Sequence, residues 1–287
     1  MKILILGSSG LLGNYLYNFL QKNFQVFNNG LRKRKINLLN TSELKIFLLK
    51  IKPDIIINCT ANTNLDNCEN KKKDAYNTNY KTLQNIVNLN KQNNIKSKII
   101  QISTDQFYNN KNHKLNKESV NWIPNYYCKT KYLVERFCIK NKIVVLRTNF
   151  FGKSNSKNKS FSDWIFDSFK SQKMFNLFHD VYFSPLNLNT LSRMIEKVII
   201  NIKDINGIYN IGSSDCISKK EFAIKFAKSC KIYKKNYHSI SSSGIFVTKR
   251  PNFMCMNIKK FEKKFKIKMP SIQSQISQEA KNYKLKK

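Results

Sequence analysis

The sequence predicts an α/β fold with a doubly wound parallel sheet in its first half, and three features predict it. Apolar runs of four to seven residues alternate with helical patterns as far as residue 148. The runs are rich in consecutive Ile, Val and Leu, as strands buried on both faces require. A glycine-rich turn, GSSGLLG, sits between the first run and the first helical pattern.

The elements follow in order. KILIL at 2–6 reads as a strand and 11–22 as a helix; FQVF at 24–27 is a second strand. A helix over 42–50 puts Leu44, Phe47 and Leu48 on one face, and DIIIN at 54–58 is the third strand. A long helix over 74–93 leads to SKIIQIS at 97–103, and a helix over 124–140 leads to KIVVLRT at 142–148. Beyond Gly152 the pattern loosens. Helices are expected over 160–171, 186–200 and 218–230, with GIYNIG at 207–212 as a strand or turn. The basic C-terminal end is expected to fray. The reading is a dinucleotide-binding domain over 1–152, rejoined by about 180–203, and a smaller C-terminal α/β domain over the rest of 153–287.

Composition narrows the function. The 287 residues are 41% hydrophobic, which is enough for a packed core. The net charge of +35 is extreme, yet the lysines are spread along the chain among asparagines and form no basic arm. That pattern describes solvated faces, so no nucleic-acid partner is expected. A basic surface does attract anionic cofactors and nucleotide-linked substrates. The seven cysteines (59, 68, 128, 138, 216, 230 and 255) form no CxxC pair and have no histidine at zinc spacing. They read as separate reduced thiols, with neither metal site nor disulfide framework. The first apolar run is broken by Gly7, Gly10 and Gly13 and lacks a cleavage site, and no run is long enough to span a membrane. A cytoplasmic location is expected.

The glycine turn carries the first chemistry. Gly7, Gly10 and Gly13 lie at strand–turn–helix, where glycines permit a tight turn and let backbone N–H groups approach a pyrophosphate. This is the position of a Rossmann-type nucleotide loop, with Ser9, Leu11 and Leu12 between the glycines. At the end of the second strand an NAD site usually offers a carboxylate to the ribose. This chain instead has Asn28 and Asn29, then Arg32, Lys33 and Arg34, which suit a 2′-phosphate. NADP is therefore favoured, with NAD as the alternative.

PNYYCKTKYLVE at 124–135 carries the second. Tyr127 and Lys131 stand at i and i+4 and share one helix face. They could be a proton-transfer pair, or Lys131 could pair with Glu135. The fourth strand ends in Ser103, Thr104 and Asp105, at the edge where open α/β sheets bind ligands.

Together these residues resemble the extended short-chain dehydrogenase/reductase superfamily and, within it, the dTDP-4-dehydrorhamnose reductase family. The matching pieces are GSSGLLG, INCTANTNLDNCE, NTNY, ISTDQFY, YYCKTKYLVE, VLRTNFFG, the SP of VYFSPLNL, GIYNIG with SKKEFA, and KRPNFMCMNIKKFEKKF. The resemblance implies NADPH-dependent reduction of a nucleotide-linked 4-keto-6-deoxy sugar for surface polysaccharide synthesis. Tyr127 is then the proton donor, Lys131 lowers the cost of that transfer and holds the nicotinamide ribose, and Thr104 orients the carbonyl. Asn79 fixes the helix or a water on the proton path, with Asp105 also in support. Thr60, Ala61, Asn62 and Ser103 line the cofactor. Asp105, Phe150 and Arg250 face the substrate, Phe150 standing where these reductases commonly have tryptophan. Asn14 and Tyr15 replace a metal-binding glutamate found in some members, so no metal is expected. The alternatives are an epimerase or dehydratase with tightly held cofactor, and a non-catalytic dinucleotide-binding regulatory subunit. A homodimer is left open.

Overall fold

The computed structural model describes residues 1–30, 36–110, 115, 117–154, 159–171 and 173–283. The elements run β1 (Lys2–Leu6), α1 (Leu11–Leu20), β2 (Gln25–Asn28), α2 (Thr41–Ile51), β3 (Ile55–Asn58), α3 (Leu65–Asn70), α4 (Lys72–Tyr76), a π-turn over Asn77–Lys81, α5 (Thr82–Gln92), β4 (Lys98–Thr104), α6 (Tyr126–Lys140) and β5 (Val144–Thr148). They continue with β6 (Phe150–Phe151), α7 (Phe161–Lys170), β7 (Phe175–Phe178), β8 (Tyr182–Phe183), β9 (Leu186–Asn187), α8 (Leu188–Ile200) and β10 (Ile208–Ile211). The last are β11 (Ile217–Ser218), α9 (Lys219–Ser229), β12 (Tyr237–Ile240), α10 (Lys259–Phe265) and α11 (Ile272–Glu279).

Two compact units result. The first holds 1–104, 123–147 and 192–208; the second holds 105–122, 148–191 and 209–287. In the first, the strand order is β2-β1-β3-β4-β5, and β1 pairs in parallel with both β2 and β3, as β3 does with β4. The 192–208 stretch returns to this sheet beside β5, where the Val145 N–H donates to the Gly207 carbonyl at 2.9 Å. From β1 the chain steps one way to β2, then returns past it to β3. Right-handed crossovers therefore send α1 and α2 to opposite faces and leave a switch point between β1 and β3.

The two-sided burial explains the strand sequences. Leu4, Leu6, Ile56, Ile99 and Val145 pack with Leu44 and Leu48 of α2, Leu83 and Ile86 of α5 and Val134 of α6. Their strand neighbours Ile3, Ile5, Ile55 and Ile57, aimed at the other face, are buried as completely. Burying each such side chain contributes about 1.5–3 kcal/mol. The second unit has its own core of aromatic and aliphatic side chains around Phe151, Ile165, Phe169, Phe183, Phe222 and Phe226. No helix among the described residues is long and apolar enough to cross a membrane.

Four sequence expectations change. The 74–93 helix is interrupted by the π-turn, and its N-terminal part begins at Lys72. The helix expected from Pro124 starts at Tyr126, because Asn125 takes the cap position and its side chain accepts from the Cys128 N–H at 2.9 Å. The 186–200 stretch opens as a two-residue strand, β9, which pairs with β6 before α8 begins. The cysteines are not all separate: Cys216 and Cys255 are joined as a disulfide, with Cα atoms 5.7 Å apart, and the other five lie outside any disulfide. Thirty-nine residues separate the bonded pair, so local spacing gave no sign of it.

Candidate active site

The first unit builds its site at the switch point. Gly7 leaves β1 with φ +78°, and a Cβ there would lie 2.8 Å from the backbone of Cys59 and Thr60. The glycine turn and the end of β3 can approach this closely only without a side chain. Gly10 N–H donates back to Gly7 O at 3.0 Å, and Gly10 caps α1 with no side-chain acceptor over the first-turn N–H groups. A cavity of about 500 Å³ opens here, lined by Gly7, Ser9, Gly10, Asn29, Thr60 and Ala61 among others.

Asn29 is the residue whose role the sequence left open. It is buried, and its Oδ1 accepts from the Gly7 N–H at 3.0 Å and the Ser8 hydroxyl at 3.4 Å. The end of β2 thus supports the glycine turn with a neutral amide where a carboxylate would otherwise face the cavity. The expected contributions of Arg32, Lys33 and Arg34 lie outside the described residues. Gly13 does not line the cavity. A Cβ on it would fall 2.3 Å from Gly7 O, so its part is to let α1 close against the turn. Leu12 is buried and Leu11 half-buried, and neither lines the cavity; they anchor α1 instead.

The tyrosine–lysine helix is buried where it matters. Tyr127 is 6% exposed and Lys131 is 3% exposed. Lys131 Nζ donates to the Ile102 carbonyl on β4 at 2.9 Å. Burial lowers its pKa to about 8, against the opposing pull of Glu135, Cys59 and Cys138. Glu135 does not take Lys131 as its hydrogen-bonded partner. It pairs with Arg147 of β5 and accepts from Ser103 Oγ at 2.6 Å. Ser103 is therefore occupied behind the helix, and it does not line the cavity. Thr104, next along β4, is buried as well. Tyr127, Lys131 and Thr104 also lie off the cavity lining; Cys59 joins the two regions, since it lines the cavity and senses the Lys131 charge.

Asn79 is placed by the π-turn, and its bonds are structural. Its Oδ1 accepts from the Asn62 N–H at 2.7 Å, while Nδ2 donates to the Asn62 carbonyl at 3.3 Å and to Thr130 Oγ1 at 2.9 Å. One side chain thus ties the loop after β3 to the helix that carries Tyr127 and Lys131. A π-turn inserts one residue into the helical ladder, which aims a side chain that ordinary periodicity would direct elsewhere. Asn62 acts through this bond and is absent from the cavity lining.

The remaining expected residues belong to the second unit. Asp105 is buried and accepts from Asn149 Nδ2 at 2.7 Å. Phe150 is half-buried in β6, and the Arg250 guanidinium lies 4.0 Å from the centroid of the Phe246 ring. Lys219, unremarked in the sequence, senses both Asp105 and Arg250, and burial lowers its pKa.

The model of the RmlD substrate binding domain family matches residues 1–285. The chain belongs to that family. Among curated relatives, the methionine adenosyltransferase 2 subunit beta of Bos taurus is 24% identical over 263 residues, covering 87% of this chain and 78% of that protein. The dTDP-4-dehydrorhamnose reductase of Aggregatibacter actinomycetemcomitans is 24% identical over 281 residues, covering 93% and 94%. Among solved structures, dTDP-4-dehydrorhamnose reductase from Bacillus anthracis in complex with NADP superposes with a TM-score of 0.88 at 24% identity, over 99% of both chains. The Rossmann-type α/β fold read from the sequence is that of this RmlD-type structure.

Proposed function

We propose that the protein reduces a nucleotide-linked keto sugar with NADPH, the activity carried by the dTDP-4-dehydrorhamnose reductases it resembles. The observation that carries this reading is Tyr127 and Lys131 buried on one face of α6, beside the ligand-binding end of β4. The first unit is the dinucleotide-binding part and the second the substrate-binding part. The expected place of action is the cytoplasm.

The residues present fit NADPH. A side-chain-free turn, an α1 end capped by glycine and a cavity of about 500 Å³ suit a pyrophosphate and its nucleoside. Gly7, Ser9, Gly10, Asn29, Thr60 and Ala61 would hold it. When bound, NADPH supplies the hydride. Tyr127 delivers a proton to the sugar oxygen. A phenol of ordinary pKa near 10 gives up a proton reluctantly at neutral pH. The Lys131 ammonium favours the phenolate and lowers that cost, while the Thr104 hydroxyl orients the carbonyl. Lys219 and Arg250 in the second unit are the cations offered to the substrate diphosphate.

Two expected results arise here. Asn29→Asp keeps both acceptor bonds to the turn but adds a charge to the cavity wall. It is expected to lower kcat/KM for NADPH roughly tenfold and to improve use of NADH relative to NADPH, measured with both cofactors on one substrate. The pH profile follows Lys131. Its pKa is depressed to about 8, so the ammonium is present below that pH and lost above it. The log of kcat/KM should therefore bend downward near pH 8 as pH rises. A rate flat to pH 10 would remove Lys131 from the reaction.

The experiment that tests the function is NADPH oxidation against a set of 4-keto-6-deoxy sugar nucleotides. A second reading draws on the likeness to methionine adenosyltransferase 2 subunit beta: a dinucleotide-binding subunit without turnover. Tight NADPH binding with no oxidation by any keto sugar would favour it.

A further inference from the structure

The reduction proposed above leaves one buried ionic network without a use. Glu135 follows Lys131 by one turn of α6 and is 1% exposed, as is Arg147. Glu135 Oε1 accepts from Ser103 Oγ at 2.6 Å and from Arg147 Nε at 2.9 Å, while Oε2 pairs with Arg147 Nη2. One carboxylate thus ties α6 to β4 and β5. Stability alone is a poor reason for such a pair. Removing two charges from water can outweigh their attraction, and apolar side chains of similar volume often serve as well.

We infer that Glu135, clamped by Arg147 and Ser103, is a positioning residue that keeps Lys131 in its ammonium form at the ligand end of β4. The inference rests on the reductase reading, because it assigns a task to the lysine of that site. Lys131 has a neutral hydrogen-bond partner, the Ile102 carbonyl, and almost no exposure. Those surroundings alone favour the uncharged amine. Several groups face Lys131 from the packed elements. Cys59 after β3 and Cys138 on α6 are thiols that burial keeps neutral, Cys59 with its pKa pushed up to about 12. Tyr127 is on its own helix, and Arg147 on β5 engages the carboxylate. Glu135 is the foremost group favouring the charged lysine. The clamp holds that buried carboxylate in place. Arg147 donates to both of its oxygens, and Ser103 to one.

The clamp also reaches the other expected participant. Ser103 immediately precedes Thr104, so the bond that fixes the carboxylate also fixes the strand end carrying the Thr104 hydroxyl. Proton donor, lysine and carbonyl-orienting group are then held by one buried network.

The test compares wild type with the double variant Glu135→Gln/Arg147→Met, which removes both buried charges together and leaves neither unpaired. The direct readout is the titration of Lys131 in 13C-lysine-labelled protein, its signal assigned by its loss in Lys131→Met. Losing the carboxylate lowers the Lys131 pKa and losing the Arg147 cation raises it. Glu135, one turn away on the same helix, is the foremost charge on Lys131, so the net fall should be about one unit. Turnover should then be nearly unchanged at about pH 6 and fall about eightfold at about pH 8.5, since the ammonium fraction falls by that factor. A merely structural role would lower the rate by one factor at every pH. Glu135→Asp, which withdraws the charge by one methylene, should shift the titration the same way by less, and it serves if the double variant does not fold. An unchanged Lys131 titration in either folded variant overturns the inference. Absence of NADPH oxidation by the wild type overturns the reductase reading instead, and the titration still decides whether Glu135 holds the lysine charged.

Discussion

Replacing Tyr127 by phenylalanine is expected to lower kcat by about 10²–10⁴-fold, the range for a lost general acid, with NADPH affinity and melting temperature near wild type. The ring is 6% exposed on a helix whose start is fixed by Asn125, so phenylalanine keeps the packing and deletes only the hydroxyl. What is lost is the proton delivered as the sugar oxygen gains charge, an interaction made in the transition state and not on cofactor binding. Tyr126 supplies the control. It lies half-buried with the Lys72 and Lys129 ammonium groups 5.7 and 5.9 Å from its ring centre, and Tyr126→Phe should leave kcat unchanged. Stopped-flow NADPH oxidation with an accepted keto-sugar nucleotide measures the rates, and nicotinamide fluorescence measures binding. Wild-type turnover by Tyr127→Phe would take the phenol out of the mechanism and return the family likeness to a matter of fold.

The same helix shows where sequence reading stops. Tyr127 and Lys131 were legible because four residues along a helix is a local relation. The Ile-rich strands were legible because burial on both faces leaves a continuous apolar run. Glu135 offered the sequence only its own helix neighbour, Lys131. The partners it takes, Ser103 and Arg147, are 32 and 12 residues away and meet it only once β4 and β5 are side by side. Asn29 is a similar case: its bond to Gly7 spans 22 residues and depends on the register of β1 against β2. The π-turn hides for another reason. NTNY continues a helical pattern, and the partners Asn79 takes there, Asn62 and Thr130, are 17 and 51 residues distant. In the second unit, strands of two residues such as β8 and β11 are too short for any periodicity to announce them.

Gly13→Ala is expected to raise the dissociation constant for NADPH about 100-fold and to lower the melting temperature by on the order of 5 °C. Gly13 lies inside α1, where alanine would ordinarily gain about 0.5–1 kcal/mol of helix propensity. Here volume decides against it. The added methyl would fall 2.3 Å from Gly7 O and 2.8 Å from Gly7 C, both backbone atoms that cannot rotate aside. Turn and helix must separate, and overpacking of this kind costs about 1–3 kcal/mol, more than the propensity gain. The displaced atoms belong to the turn that Asn29 holds and that lines the cavity, so the damage extends to the backbone N–H groups offered to the pyrophosphate. Gly10→Ala calibrates the effect. Its methyl would meet Gly7 O at 3.3 Å, a contact relieved by a shift of a few tenths of an ångström, and the melting temperature should fall far less. Fluorescence titration with NADPH and thermal melts of both variants measure the two quantities. A Gly13→Ala protein that bound NADPH like wild type would mean that the close approach of α1 to the glycine turn does not shape the cofactor site.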